Sequence, residues 1–115
     1  MTRRASPRID SAPYRQLEDV LGCKWSVLVL RAIASGVCRP GALERHIGGI
    51  STKVLGERLR KLEAYKLINK TIYDTVPPRT TYELTAMGQK LIGIIEQIRA
   101  LDEELQHGMP DTEVE

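Results

Sequence analysis

The chain has 115 residues, of which 42% are hydrophobic and 28% are charged, and its formal net charge is +2 at pH 7. This length suits one domain, so any function must fit on a single core, and the composition excludes a wholly disordered chain. No apolar run approaches the roughly 20 residues that cross a bilayer, and residues 1–8 lead into Ile9-Asp10-Ser11 rather than an apolar stretch. We therefore expect no membrane partner, no secretory signal and a cytoplasmic location.

The charge is distributed unevenly along the chain. Residues 39–79 hold nine lysines and arginines against four acids, whereas residues 80–115 hold two against eight. A basic middle followed by an acidic end predicts that one face of the protein meets a polyanion and that another is turned away from it.

The first part of the chain predicts two helices after a flexible N-terminal arm at residues 1–12. Pro13 is suited to a first helical turn, Leu17 lies on the apolar face of the helix that follows, and Gly22 ends that helix. Residues 25–34 are apolar on almost every side, which is typical of a helix buried in the centre of a domain.

The middle of the chain predicts a helix, a glycine turn and a second helix. Residues 42–47 form a short helix that is broken by Gly48-Gly49. Ser51 then stands at an N-cap position and opens a helix that reaches about Lys66. Its apolar stripe at helical spacing comprises Val54, Leu55, Leu59 and Leu62.

The last third predicts a hairpin and a long helix. Residues 67–73 and 80–85 alternate between apolar and polar, and the turn at residues 74–79 contains Pro77-Pro78. Thr85 caps the helix that follows, and residues 108–115 are expected to form a disordered acidic tail. The stripe of this helix is longer than one small domain covers, which predicts a homodimer. It comprises Met87, Leu91, Ile94, Ile98, Leu101 and Leu105.

This order of elements predicts a mainly α winged helix-turn-helix domain over residues 13–107, with a small β-hairpin as the wing. A helix with an apolar stripe and a basic face can pack on the core and still enter the major groove of double-stranded DNA. The expected base-reading residues in its first turns are Ser51, Thr52, Lys53 and Gly56. Expected contacts to phosphates or the flanking groove come from Arg60, Lys61, Arg79, Arg39 and Lys24.

Two other interpretations remain open. A solvated helix face explains any single lysine or arginine equally well, and a winged-helix fold also serves as a protein-interaction module without DNA. Such a module has no need of the bases at Lys53, Arg60 and Arg79, which this chain retains. An enzyme is not expected, because His46 and His107 lack further ligands or catalytic partners at suitable spacing. The sequence predicts no metal and no cofactor, and it assigns no effector.

Three segments within residues 17–98 resemble the HxlR branch of winged-helix regulators, which is related to the MarR group. They read LEDVLGCKWSVLVLRAI, ALERHIGGISTKVLGERLRKLEAYKLI and VPPRTTYELTAMGQKL. The resemblance implies a sequence-specific DNA-binding transcriptional regulator, with residues 51–60 on the recognition helix and Arg79 on the wing. It also implies a homodimer held through the first and last helices, for which we expect contacts from Leu17, Leu91, Ile94, Ile98, Leu101 and Leu105.

The two cysteines raise the question of redox sensing. Several members of this family sense oxidants through a cysteine followed by proline before the first helix, but Ala12 occupies that position here. Cys23 and Cys38 are candidate replacements, because the neighbouring Lys24 and Arg39 would favour a thiolate. The alternative is that both are inert, partly buried small residues, and a reducing compartment makes a structural disulfide unexpected.

Overall fold

The computed structural model describes residues 14–108 and contains five helices and one hairpin in that range. The predicted N-terminal arm, Pro13 and all but the first residue of the predicted acidic tail lie outside the described residues. No helix in the described range is both long and apolar enough to span a membrane. The elements in chain order are α1 (Arg15–Leu21), α2 (Lys24–Ala34), α3 (Pro40–Ile47), α4 (Thr52–Ala64), β1 (Ile68–Tyr73), β2 (Arg79–Leu84) and α5 (Ala86–Gln106).

Helix α2 is the centre of the core, as its apolar composition predicts. It packs against every other helix and against β2. Val29 and Leu30 on α2 are completely buried, and Leu43 of α3 and Leu62 of α4 are also fully enclosed. The single hydrophobic core therefore forms around one helix, with the other elements arranged about it.

The turn between α3 and α4 and the start of α4 follow from local sequence signals. Gly48 and Gly49 have φ angles of 72° and 81°, a left-handed region that glycine adopts without steric cost. Ser51 then caps α4, because its side-chain oxygen accepts a hydrogen bond from the Val54 N–H at 3.0 Å. This geometry fixes where α4 begins and confirms the predicted N-cap.

The hairpin is anchored at its base and projects at its tip. β1 and β2 are antiparallel, with Ile68 opposite Leu84 and Tyr73 opposite Arg79. Ile68 is buried near the base, whereas Ile72 is 64% exposed near the tip. A further backbone bond, from the Tyr82 N–H to the Cys38 carbonyl at 2.8 Å, joins β2 to the loop before α3. The predicted hairpin is confirmed, and its outer half stands away from the core.

Helix α5 has buried residues in its first half, whereas its second half is exposed. Thr85 caps it by accepting a hydrogen bond from the Gly88 N–H at 3.0 Å, as predicted. Leu91 is only 3% exposed and belongs to the chain's own core, so it has little free surface within one chain, and its place at a dimer interface stays a prediction. The remaining apolar side chains of the stripe are exposed and comprise Met87, Ile94, Ile98, Leu101 and Leu105. The α1 residue Leu17 is 37% exposed.

Candidate nucleic-acid interface

Helix α4 has one buried face and one exposed cationic face. Leu55, Leu59 and Leu62 are buried against the core, whereas Lys53 and Arg60 are exposed. Thr52 is also exposed, at the first position after the Ser51 cap. The leucine spacing forces this division, because residues three and four apart share one side of a helix.

Gly56 leaves room for a cation along the exposed face of α4. The Nη1 atom of Arg60 lies 3.5 Å from the point that a Cβ on Gly56 would occupy. The guanidinium therefore folds back towards the first turns of the helix, where Thr52 and Lys53 are exposed. The predicted base-reading positions and Arg60 consequently lie on one continuous surface.

Lys61 forms an ion pair with Asp19 of α1, and its expected role as a phosphate contact stays a prediction. Its Nζ lies 2.9 Å from Asp19 Oδ2, and the Tyr65 hydroxyl donates a hydrogen bond to the same oxygen. These two partners hold the pKa of the Asp19 carboxyl below its ordinary value, and the carboxylate in turn raises the pKa of Lys61. Asp19 carries no local sequence signal for this site, because its pairing with Lys61 joins two helices that are distant in sequence.

The wing carries Arg79 at the first residue of β2. Its guanidinium lies over the Tyr73 ring, 5.0 Å from the ring centroid, on the opposite strand. Arg39 is the N-cap residue of α3. Both arginines line a cleft between α3 and β2, and Arg45, which the sequence analysis did not select, lines the same cleft. The position of Arg45 four residues after Gly41 on α3 was the available signal.

Lys24 lies at the start of α2, close to the turn that leads into α4. Its Nζ is 4.7 Å from the centroid of the Trp25 ring. The Trp25 ring packs partly buried against the core, as predicted, and reaches within 3.9 Å of the Cβ position of Gly49. Lys24 therefore joins the side of the molecule on which α4 begins.

Most cations on this side have no acidic partner. Among residues 14–108, the ion pairs join Arg31 and Arg99 to Glu96, and Lys61 to Asp19. None of these pairs involves the five exposed bases that we expect to contact DNA. They are Lys24, Arg39, Lys53, Arg60 and Arg79. Their charges are therefore available to a polyanion.

Cys23 is in contact with α4. It is a free, partly exposed thiol at the N-cap of α2, and Arg58 Nη1 donates to its Sγ at 3.5 Å. Burial raises the pKa of this thiol, but the contacts with Ser26 and the charge of Arg58 outweigh it, so the pKa lies below its ordinary value. Cys38 is also free and partly exposed. Redox sensing by either residue stays a prediction.

The described residues contain no group of three or more His, Cys, Asp or Glu side chains arranged to hold a metal ion. The chemistry that this surface offers consists of hydrogen-bond donors and positive charge. Ser51, Thr52 and the main chain at the start of α4 supply short polar groups, while Lys53 and Arg60 supply cations. This combination suits contact with bases and phosphates.

Comparison with known proteins identifies the family. The model of the HxlR-like helix-turn-helix family matches residues 20–109. Over 79 residues, the chain is 44% identical to the uncharacterized HTH-type transcriptional regulator sll1512 of Synechocystis sp., covering 69% of this chain and 58% of that protein. Over 82 residues, it is 38% identical to the uncharacterized HTH-type transcriptional regulator YtcD of Bacillus subtilis, covering 71% and 65% respectively. The chain thus spans less than two thirds of each of these relatives.

A solved structure of a MarR-family transcriptional regulator from Porphyromonas gingivalis W83 supports the same assignment. It superposes with a TM-score of 0.72 at 36% sequence identity, covering 89% of this chain and 98% of that chain. The order of helices and the two-stranded hairpin described above agree with this likeness. The chain therefore belongs to the HxlR-like helix-turn-helix family and has a winged-helix, MarR-like fold.

Proposed function

We propose that the protein is a sequence-specific transcriptional regulator that binds double-stranded DNA as a homodimer, with α4 in the major groove and the hairpin on the flanking groove. The observation that carries this proposal is the division of α4 into a buried leucine face and an exposed face with Lys53 and Arg60. Helix α4 has 13 residues and is about 20 Å long. The diameter of an α-helix with its side chains, about 10–12 Å, fits a major groove that is roughly 12 Å wide.

Each part of the surface has an expected role in the complex. Ser51, Thr52, Lys53 and Gly56 lie in the first turns of α4, where a recognition helix contacts base edges. Arg60 lies two turns further along, where the helix leaves the groove and meets phosphates. Arg79 extends the contact from the wing.

The exposed stripe of α5 supports the homodimer. Ile94, Ile98, Leu101 and Leu105 are between 45% and 68% exposed within one chain. A cavity of about 360 Å³ adjoins this stripe, and it is lined by Leu17 of α1 and by Met87 and Ile94 of α5. Apolar side chains on one helix face and an adjacent apolar cavity favour burial against a second copy of the chain.

The exposed cations also weigh against the alternative of a protein-interaction module without DNA. That alternative gains support only if the bases of α4 and the wing are dispensable for DNA binding. No catalytic activity is proposed, and its absence stays a prediction.

A pair of substitutions tests the role of α4. The double variant Lys53→Ala with Arg60→Ala is expected to lower affinity for a bound duplex by about 1,000-fold or more at physiological salt, since the homodimer loses four side chains and each contributes on the order of 1–3 kcal/mol. Fluorescence anisotropy with a labelled duplex at several salt concentrations measures this change. Both side chains are exposed, so the variant is expected to fold normally.

The matched control is Lys66→Ala, which also removes an exposed positive charge but lies beyond the opposite end of α4. We expect its affinity to stay within about twofold of the unmodified chain, because exposed charges away from the DNA act weakly through salt. The control removes one charge per chain and the double variant removes two, so a loss in the control that is half as large on a logarithmic scale would show that net charge, not the face of α4, governs binding.

A further inference from the structure

A basic cleft lies between the N-terminus of α3 and the start of β2. Its volume is about 510 Å³, and Arg79 of the wing is one of the residues that line it. The residues that line it are Arg39, Pro40, Gly41, Ala42, Arg45, Pro78, Arg79 and Thr80. Three of them are arginines and none is acidic. We call this feature the arginine cleft.

The three arginines reach the cleft from three different positions in the fold. Arg39 occupies the N-cap position of α3, Arg45 lies in the last turn of that helix, and Arg79 is the first residue of β2. The Nη1 atom of Arg45 lies 3.4 Å from the point that a Cβ on Gly41 would occupy, so the guanidinium folds back over the first turn of α3. None of the three arginines takes part in an ion pair with an acid within residues 14–108.

The backbone of α3 adds donors to the same place. Pro40 begins the helix, and Arg39 makes no side-chain hydrogen bond as a cap. Gly41 and Ala42 line the cleft, and the N–H groups of the first turn lack partners inside the helix. Unsatisfied amides and the positive end of the helix dipole favour an anion there, and guanidinium groups bind phosphate oxygens in a bidentate geometry.

The walls of the cleft are held in a fixed relation. The hydrogen bond from the Tyr82 N–H to the Cys38 carbonyl, at 2.8 Å, joins the wing to the residue next to Arg39. The Arg79 guanidinium is positioned by the Tyr73 ring. A site that spans α3 and the wing therefore keeps its shape before a ligand binds, which lowers the entropic cost of binding.

We propose that the arginine cleft binds a backbone phosphate of the DNA, with Arg45 as a phosphate-contacting residue alongside Arg39 and Arg79. This inference rests on the proposed function and extends it to a third contact region beside α4 and the wing tip. One phosphodiester carries a single negative charge, but each DNA strand presents a phosphate about every 3.4 Å along the helix axis. Neighbouring phosphates therefore balance the remaining positive charge.

The substitution Arg45→Ala is the first test. Its affinity for a bound duplex is expected to fall between about threefold and tenfold for each copy in the dimer, and the slope of log affinity against log salt is expected to become shallower by about 0.9 per copy, or about 1.8 for the dimer. Preference among duplex sequences should not change, because phosphate contacts carry no base information. The control Lys66→Ala removes the same charge outside the cleft and should alter neither quantity.

A scan with methylphosphonates, which remove the charge of one chosen phosphate, locates the contact. Several positions in each half-site should weaken binding of the unmodified chain, and Arg45→Ala should lose sensitivity at one of them. Such coupling between two changes indicates a direct interaction. An Arg45→Ala protein with unchanged affinity and salt slope, on a duplex that the unmodified chain binds, would overturn the arginine cleft alone. An unmodified chain that binds no duplex would overturn the proposed function and this inference together.

Discussion

Replacing Gly88 with alanine is expected to destabilise the protein by about 3 kcal/mol. A Cβ on Gly88 would lie 2.1 Å from the Leu67 carbonyl oxygen and 3.1 Å from its carbon. The same carbonyl accepts a hydrogen bond from the Thr85 N–H at 3.0 Å, so the backbone cannot withdraw without loosening the start of α5. Chemical denaturation at matched protein concentration measures the free energy of unfolding.

Gly93 on the same helix provides the control. Apart from the adjacent residues and the backbone of its own helix, no atom lies within 4 Å of its Cβ position, and the residue is exposed. Gly93→Ala is therefore expected to stabilise the protein by up to about 1 kcal/mol, because alanine favours the helix. If both glycines tolerated alanine equally, the close contact between α5 and the residue before β1 would be wrong.

Placing a charge on the exposed stripe of α5 is expected to separate the proposed homodimer. In Ile98→Asp, each copy would bring a carboxylate into the apolar interface, where an unpaired charge is costly to bury. The variant should sediment as a monomer at micromolar concentration. Its affinity for a two-half-site duplex should fall by 100-fold or more, since the two recognition helices would no longer be linked.

The matched control adds the same charge to a different face of α5. Ala100 is exposed and points away from the stripe defined by Ile94, Ile98 and Leu101. Ala100→Asp should therefore keep the sedimentation coefficient and DNA affinity of the unmodified chain. A monomeric unmodified chain at micromolar concentration would refute the dimer directly, and an Ile98→Asp protein that stayed dimeric would move the interface elsewhere.

The elements that the sequence predicts well are those set by local chemistry. Ser51 and Thr85 bond to amides three residues ahead, and the Gly48-Gly49 pair adopts positive φ angles. Each of these signals is contained within a few residues, so it can be identified without tertiary contacts. The period of α4 also separates its buried leucines from its exposed bases.

The features that the sequence does not predict depend on packing between distant elements. Leu91 and Ile94 belong to one helical stripe, but the core encloses Leu91 and Ile95 and leaves Ile94 45% exposed, because the line along which α5 meets the core does not follow the stripe. The pairing of Lys61 with Asp19 depends on how α1 crosses α4. Arg45 joins Arg39 and Arg79 only because the wing is hydrogen-bonded beside α3. Periodicity carries no information about these contacts.

Selection of bound duplexes from a random pool tests most directly whether the exposed face of α4 reads DNA. The account predicts enrichment of a pseudo-palindromic sequence, with half-site centres about one helical turn, or roughly 34 Å, apart. It also predicts that the Lys53→Ala and Arg60→Ala double variant fails to enrich that sequence. A pool that shows no enrichment with the unmodified chain, or the same enrichment with the double variant, would contradict the account.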